Sequence, residues 1–139
     1  MVLAVGRLRP PFADDVQHYR QLLARHAKLE LIEVREDEGV ERRLPRAPAA
    51  GGSGAFVSLL AADGRQYDSV AFSRFLEDRR QAGRDVWFVV GGPYGTDVPQ
   101  AEHRLSLGPM TLPHQLARVV LLEQLYRAHK ILAGEPYHH

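Results

Sequence analysis

The sequence predicts an α/β domain with a mainly parallel sheet, and three observations support this prediction. Short apolar segments typical of buried strands occur at residues 1–5, 55–61 and 85–90. Segments whose apolar residues recur at helical spacing lie between them, as in parallel sheets with crossover helices. The third apolar segment runs directly into a glycine-rich turn at residues 91–95. Open parallel sheets bind ligands beyond the carboxyl ends of their strands, so this turn lies where a site is expected.

The first 54 residues are predicted to contain two strands, one helix and a long connection. The strand at residues 1–5 ends at Gly6, and Pro11 suits the first position of the helix that follows. Residues 29–34 alternate apolar and charged side chains, which indicates a second strand. Residues 35–54 are first charged and then rich in glycine, alanine and proline, so we predict a surface connection there.

The remaining sequence continues the alternation of strands and helices. After the strand at 55–61, a turn is predicted at residues 62–64, and a helix at 68–80 with Asp68 or Ser69 as its cap. A final long helix is predicted over residues 113–132, beginning with a proline. The sequence shows neither an internal repeat nor a second domain, so residues 1–139 are predicted to form one domain.

The final helix is apolar on more than one face. A surface helix of a monomer normally has a single apolar stripe. The apolar residues of this helix are Leu116, Val119, Val120, Leu121, Leu122 and Leu125. The pattern predicts burial on two sides, which a homodimer interface would provide.

Composition excludes several classes of protein. The absence of cysteine excludes disulfides and thiolate metal sites. The amino terminus lacks the features of a signal peptide, and no apolar run reaches the roughly 18 residues of a membrane span. We therefore expect a cytoplasmic protein with no membrane partner. The net charge of +1 is low for a nucleic-acid-binding protein, so an RNA substrate would have to be recognised through local arginines, an oligomeric surface or shape.

Three local motifs have both a structural and a functional interpretation. The turn at 91–95 matches neither G-x-G-x-x-G nor a P-loop, and either cradles a ligand or is a tight turn. His114 and Arg118 lie one turn apart at the start of the last helix. A neutral His114 could accept a proton there, or the pair could be a capping histidine and a solvated arginine. Tyr137 and His138 suit stacking on an exposed base. No histidine pair has metal-ligand spacing with a nearby carboxylate, so no metal is expected.

Taken together, three segments resemble the RlmH family of SPOUT methyltransferases. They are VVGGPYG at residues 89–95, LSLGPMTLPHQLAR at residues 105–118, and LEQLYRA followed by GEPYH between residues 122 and 138. The opening LAVGR at residues 3–7 is also similar. The resemblance spans nearly the whole chain and is strongest from about residue 84 onward.

The resemblance implies a SPOUT (alpha/beta knot) fold with a C-terminal trefoil knot, and a homodimer. It also implies methylation of N3 of a pseudouridine in large-subunit (23S) ribosomal RNA on assembled ribosomes, with S-adenosyl-L-methionine as methyl donor. Docking of a dimer on a ribosome would reconcile an RNA substrate with the low net charge. The chain departs from the family in the shortened stretch at residues 42–54 and around residues 61–64.

The resemblance also assigns roles to individual residues. The catalytic candidates are His114 and His138, and the candidates for contact with the substrate RNA are Arg118 and Tyr137. The expected cofactor-binding residues are Leu60, Gly92, Leu107, Gly108, Pro109, Met110, Thr111 and Leu112.

Other functions remain open at this stage. A SPOUT methyltransferase with a different RNA target is possible, because the predicted recognition surface is where the chain diverges. A non-catalytic dimer that binds ribosomes or a nucleotide is a second alternative. An ordinary Rossmann-like enzyme is a third, but the missing G-x-G-x-x-G sequence disfavours it.

Overall fold

The computed structural model of the chain describes residues 1–35, 37–45, 54–91 and 98–137. Within these residues it contains five strands and four helices. The strands are β1 (Val2–Val5), β2 (Leu31–Val34), β3 (Phe56–Gln66), β4 (Val86–Val90) and β5 (His103–Ser106). The helices are α1 (Phe12–Leu23), α2 (Asp37–Arg43), α3 (Ser69–Gln81) and α4 (His114–Leu132).

The five strands form one sheet in the order β2-β1-β4-β3-β5. Every pairing between them is parallel, with Leu3 opposite Val89 and Leu59 also opposite Val89 on the other side of β4. The predicted α/β class with a parallel sheet is confirmed. Because all strands point the same way, their carboxyl ends share one edge of the sheet. The trefoil knot implied by the family resemblance stays a prediction.

Side chains of β1 alternate between two cores, one on each face of the sheet. Val2 and Ala4 belong to the larger core, which packs against α1, α3 and α4. Leu3 and Val5 belong to the smaller core, which includes Val40 of α2. Burial on both faces explains why β1 and β4 are continuously apolar in sequence.

The predicted helices agree closely with the structure. The predicted helix at 68–80 is α3, and the Asp68 carboxylate caps it by accepting a 2.7 Å hydrogen bond from the Ala71 backbone N–H. The predicted helix at 113–132 is α4, preceded by Pro113. Helix α4 crosses the larger core and contacts both α1 and α3, so its buried residues face two neighbours.

Three features differ from the sequence-based expectations. Helix α2 lies within the stretch predicted to be a surface connection, and β5 was not predicted. Strand β3 continues to Gln66, so the turn predicted at residues 62–64 was wrong. Both Leu60 and Arg65 pair with Leu105, which means that residues 61–64 form a bulge against β5.

The bulge is attached to β5 by two contacts and one close approach. The hydroxyl oxygen of Ser106 lies 2.9 Å from the carbonyl oxygen of Ala62. Asp63 pairs with Arg104 at 2.7 Å, although both side chains are largely exposed. A β-carbon on Gly64 would lie 2.7 Å from the backbone carbonyl of Arg104. The lack of a side chain at Gly64 therefore allows the bulge to lie directly on β5.

Replacing Gly64 with alanine should destabilise the fold by about 1–3 kcal/mol, because the added methyl group clashes with backbone that cannot rotate away. Urea denaturation gives the change in the free energy of unfolding. Ala62→Ser, at an exposed position of the same bulge, is the control and should stay within about 0.5 kcal/mol of the parent. Equal stability of the Gly64→Ala variant and the parent would contradict the proposed close packing.

Candidate active site

A cleft opens at the carboxyl edge of the sheet, beside the ends of β4 and β5 and the bulge of β3. It contains about 670 Å³ of space, part of it open to solvent. Its walls come from these strands, from the segment after β5 and from the start of α4. The described residues that line it are Leu59, Leu60, Ala61, Ala62, Val90, Gly91, Leu105, Leu107, Gly108, Met110, Thr111, Leu112, His114 and Ala117.

The segment between β5 and α4, residues 107–113, forms one wall of the cleft. Its first turn is fixed by Ser106, whose hydroxyl accepts a 3.0 Å hydrogen bond from the Gly108 N–H. Gly108 has φ +130°, a conformation that side chains disfavour. Met110 is 79% exposed, which is unusual for a large apolar side chain. Within the described residues, the backbone N–H groups of Met110, Thr111 and Leu112 donate to no protein group.

Most of the residues expected to bind a cofactor come together in this cleft. Those that line it are Leu60, Leu107, Gly108, Met110, Thr111 and Leu112. Pro109 is exposed in the same segment but is not part of the lining. Gly92 lies outside the described residues, although its neighbour Gly91 lines the cleft. Their role in binding stays a prediction.

His114, the first residue of α4, lies at the cleft and faces the end of β1. A β-carbon on Gly6 would lie 3.7 Å from its Nε2 atom and 3.9 Å from Nη2 of Arg118. Gly6 has φ +94°, so glycine both permits the turn and leaves room for the two side chains. Partial burial, helped by the charges of Arg118 and Arg9, lowers the pKa of His114. The imidazole is therefore neutral at pH 7 and can accept a proton.

Arg118 lies beside His114, as the sequence spacing predicted, but its guanidinium is buried rather than solvated. The residue is 4% exposed, and Nη2 donates to the carbonyl oxygens of Val5 at 2.9 Å and Gly6 at 2.6 Å. Nη1 lies 3.4 Å from the carboxylate of Glu33. In this position Arg118 offers little surface to a phosphate group, so the geometry favours a role in holding β1 to α4.

Gln115 completes the link between α4 and the segment after β1. Its amide nitrogen donates to the carbonyl of Arg7 at 3.2 Å, and its amide oxygen accepts the backbone N–H of Arg9 at 2.9 Å. Gln115, Gly6 and Glu33 belong to this site without being predicted from the sequence. Positions more than 80 residues apart in sequence make these contacts, so no local pattern could have indicated them.

Tyr137 packs against the middle of α4. Its ring lies edge-on to Tyr126 with 4.8 Å between centroids, and its hydroxyl donates to the Glu123 carboxylate at 3.3 Å. The guanidinium of Arg127 lies 5.0 Å from the centre of the same ring. His138 lies outside the described residues, so the structure leaves its catalytic role as a prediction. The contacts of Tyr137 thus lie more than two helical turns from His114.

A second half-buried histidine, His103, lies between β3, β5 and α3. The Nδ1 atom of His103 is 2.7 Å from the hydroxyl oxygen of Ser58, and its Nε2 atom is 2.9 Å from the hydroxyl oxygen of Tyr67. Its ring stacks on Phe75 with 4.8 Å between centroids. Burial, together with nearby arginine charges, lowers the pKa of His103. This contact network supports β5 below the cleft.

Comparison with known proteins identifies the family of the chain. A family described as "Predicted SPOUT methyltransferase" matches residues 1–138. The chain belongs to the SPOUT methyltransferase family. The sequence-based assignment to this class is thus confirmed.

The chain also matches curated relatives over nearly their whole length. Proteins named "Ribosomal RNA large subunit methyltransferase H" are 42% identical in Nitratidesulfovibrio vulgaris and 44% identical in Rubrobacter xylanophilus. In each case the match covers 99% of this chain and 96% of the relative. A relative of the same name from Gemmatimonas aurantiaca is 40% identical, with 99% of this chain and 97% of the relative covered.

Two kinds of feature are absent from the described part of the chain. None of the helices seen there combines the length and apolarity required to cross a membrane. In the same part of the chain, no three histidine or carboxylate side chains converge as ligands for a metal ion.

The stability of the protein should decrease as the pH falls below about 6.5, the ordinary histidine pKa. Burial lowers the pKa of His103, His114 and His129 in the folded chain. The unfolded chain therefore binds protons on these imidazoles at a higher pH than the folded chain does. Stability is complete above the unfolded pKa and is lost as the pH falls toward the folded values.

Urea denaturation between about pH 7.5 and 5.5 tests this dependence, since carboxylates titrate mainly below that window. His103→Gln should flatten the slope, because it removes one of the three contributing imidazoles. His18→Gln, on the exposed face of α1, is the matched control and should keep the parent slope. A free energy of unfolding that is constant or rises on acidification would show that the prediction is wrong.

Proposed function

We propose that this chain is an S-adenosyl-L-methionine-dependent methyltransferase that acts on N3 of a pseudouridine in large-subunit (23S) ribosomal RNA, in assembled ribosomes in the cytoplasm. The names of the relatives support the substrate class. The observation that carries the proposal is the cleft, in which six expected cofactor-binding residues meet beside His114. We propose that residues 1–139 act as a single domain.

The cleft has the chemistry required to hold an adenosyl group. Leu60, Leu105 and Leu107 provide apolar walls. The backbone N–H groups of residues 110–112 are free within the described structure and could contact the polar edge of an adenine ring. Exposed Met110 would be covered by a ligand in this position. When bound, S-adenosyl-L-methionine would supply an electrophilic methyl group.

The chain itself would align the target base and manage its proton. Alignment of two reacting groups can contribute much of the rate enhancement of an enzyme. N3 of pseudouridine carries a proton that must leave before or as the new bond to carbon forms. His114 is neutral at pH 7, lies at the cleft and can accept this proton, a contribution of about 10²–10⁴-fold.

The second catalytic candidate, His138, would have to come from another copy of the chain. Tyr137 packs against Tyr126, twelve positions along α4 from His114, which corresponds to about 18 Å along the helix axis. One further residue extends the chain by only about 3.5 Å. The geometry of the tail therefore supports a homodimer in which each tail completes the site of the partner.

The outer face of α4 offers a surface for such a dimer. Leu116, Val119 and Val120 are only half-buried, although Val119 also contacts the larger core, whereas Leu121, Leu122 and Leu125 are fully buried in that core. Apolar residues left partly open on a helix are typical of a subunit interface. We propose that this face joins two copies of the chain.

Labelled S-adenosyl-L-methionine and ribosomes that lack the modification provide the direct test. We expect one labelled pseudouridine in the large-subunit RNA, identified by mass spectrometry of nuclease fragments. Label in a different nucleotide would indicate a methyltransferase with another RNA target. Cofactor or ribosome binding without transfer would support the non-catalytic alternative.

Mixing His114→Ala and His138→Ala variants tests both the catalytic histidines and the shared site. Each variant alone should lose about 10²–10⁴-fold in turnover, with cofactor affinity by calorimetry unchanged. Random exchange of subunits makes half of the dimers mixed, and each mixed dimer has one intact site out of two. About a quarter of the parent activity should therefore return.

The control is a mixture of His18→Ala with His138→Ala, because the first substitution leaves His114 and the tail intact. That mixture should show about half of the parent activity, since half of all tails remain native. Near-normal turnover of both single variants would exclude the two histidines as catalytic groups. Absence of recovery in the first mixture would place both groups in one subunit.

A further inference from the structure

The loop that joins β1 to α1, residues 6–11, lies at the carboxyl edge of the sheet beside the cleft. The loop begins at Gly6, which lies close to His114. A β-carbon on Gly6 would be 3.7 Å from Nε2 of His114. The loop therefore borders the point at which the proposed target base must approach His114. We call it the β1–α1 loop.

The backbone of the β1–α1 loop is held at three successive residues. Gln115 of α4 bonds to the carbonyl of Arg7 and to the N–H of Arg9. The carboxylate of Glu33 on β2 accepts the N–H of Leu8 at 3.3 Å. Arg118 adds a buried contact to the carbonyl of Gly6. A loop fixed in this way presents its side chains in a defined direction, without the ordering entropy that a flexible loop would lose on binding.

The side chains of Arg7 and Arg9 project from this fixed backbone into solvent. Both residues are exposed, and neither forms an ion pair or a side-chain hydrogen bond with any described residue. Arg9 lies beside the start of α4, because its backbone N–H donates to the side chain of Gln115, the residue that follows His114. Nearby carboxylates do not neutralise the two arginines, because Glu33 is bonded to Leu8 and Arg118 and no described ion pair involves Asp14 or Asp15.

We propose that Arg7 and Arg9 bind the RNA phosphates that flank the target nucleotide, and that buried Arg118 holds the loop that presents them. This inference rests on the proposed function, because it takes RNA as the substrate. Guanidinium groups bind phosphate through paired hydrogen bonds. The net charge of +1 gives the whole chain little attraction for RNA, so affinity must come from cations placed at the site.

The double variant Arg7→Ala/Arg9→Ala tests the inference, with Arg20→Ala/Arg25→Ala as the matched control. Both remove two exposed arginines and change the net charge equally, but the control positions lie at the opposite end of α1, about 20 Å away. Binding to ribosomes lacking the modification is measured as a function of KCl concentration. KM for ribosomes and calorimetric affinity for S-adenosyl-L-methionine are measured in parallel.

We expect the Arg7/Arg9 variant to raise the KM for ribosomes at least roughly tenfold, since two charge-assisted contacts are lost. The slope of log Kd against log salt should become shallower by about 1 for each arginine removed. Cofactor affinity should not change, because neither arginine lines the cleft. The Arg20/Arg25 control should retain the parent KM and slope.

Failure of this inference can be separated from failure of the proposed function. If the parent protein methylates ribosomes and the two double variants behave alike, the phosphate contacts are overturned and the function stands. If the parent protein transfers no methyl group, the proposed function fails. Phosphate binding by Arg7 and Arg9 is still supported in that case if only their double variant has a shallower slope of log Kd against log salt.

Discussion

The buried guanidinium of Arg118 is the interaction on which the arrangement of the site depends. It bonds to the two carbonyl groups at the end of β1, Val5 and Gly6, and approaches the carboxylate of Glu33 on β2. Burying such a charge is unfavourable unless it is paired and hydrogen-bonded. Its Nε atom has no partner within the described residues, so the pairing is incomplete. A buried, incompletely paired charge is better explained by positioning than by stability alone.

The position of Arg118 affects several other parts of the candidate site. Arg118 joins α4 to the sheet one helical turn after His114. The segment at residues 107–113 ends where α4 begins, so its path over the cleft is fixed at one end by α4 and at the other by Ser106. The charge of Arg118 also helps to keep His114 unprotonated. One side chain thus influences the geometry of the cleft and the proton affinity of its main titratable group.

The sequence predicted those parts of the fold whose pattern is local. Strand β4 and helices α3 and α4 were predicted within one or two residues, because continuous apolar runs and helical spacing depend only on neighbouring residues. Helix α2 was missed because charges surround its buried residue, Val40. The continuation of β3 was missed because Asp63-Gly64 is typical of a turn. Contacts with distant β5 favour extension there, among them the close packing of Gly64 on the backbone of Arg104.

The same distinction between local and distant information applies to the site. The candidate cofactor-binding residues at 107–112 and His114 could be proposed from the sequence because the family resemblance preserves the order of residues along the chain. Whether a charged residue is buried or exposed depends on which strand end it contacts in the fold. The spacing of residues along the sequence does not predict such a distant contact. Arg118 and Arg9 have the same side chain, yet one is enclosed between β1 and α4 and the other is exposed in the β1–α1 loop. Because the net charge of the chain is near zero, the position of each arginine determines its function more than the total number of arginines does.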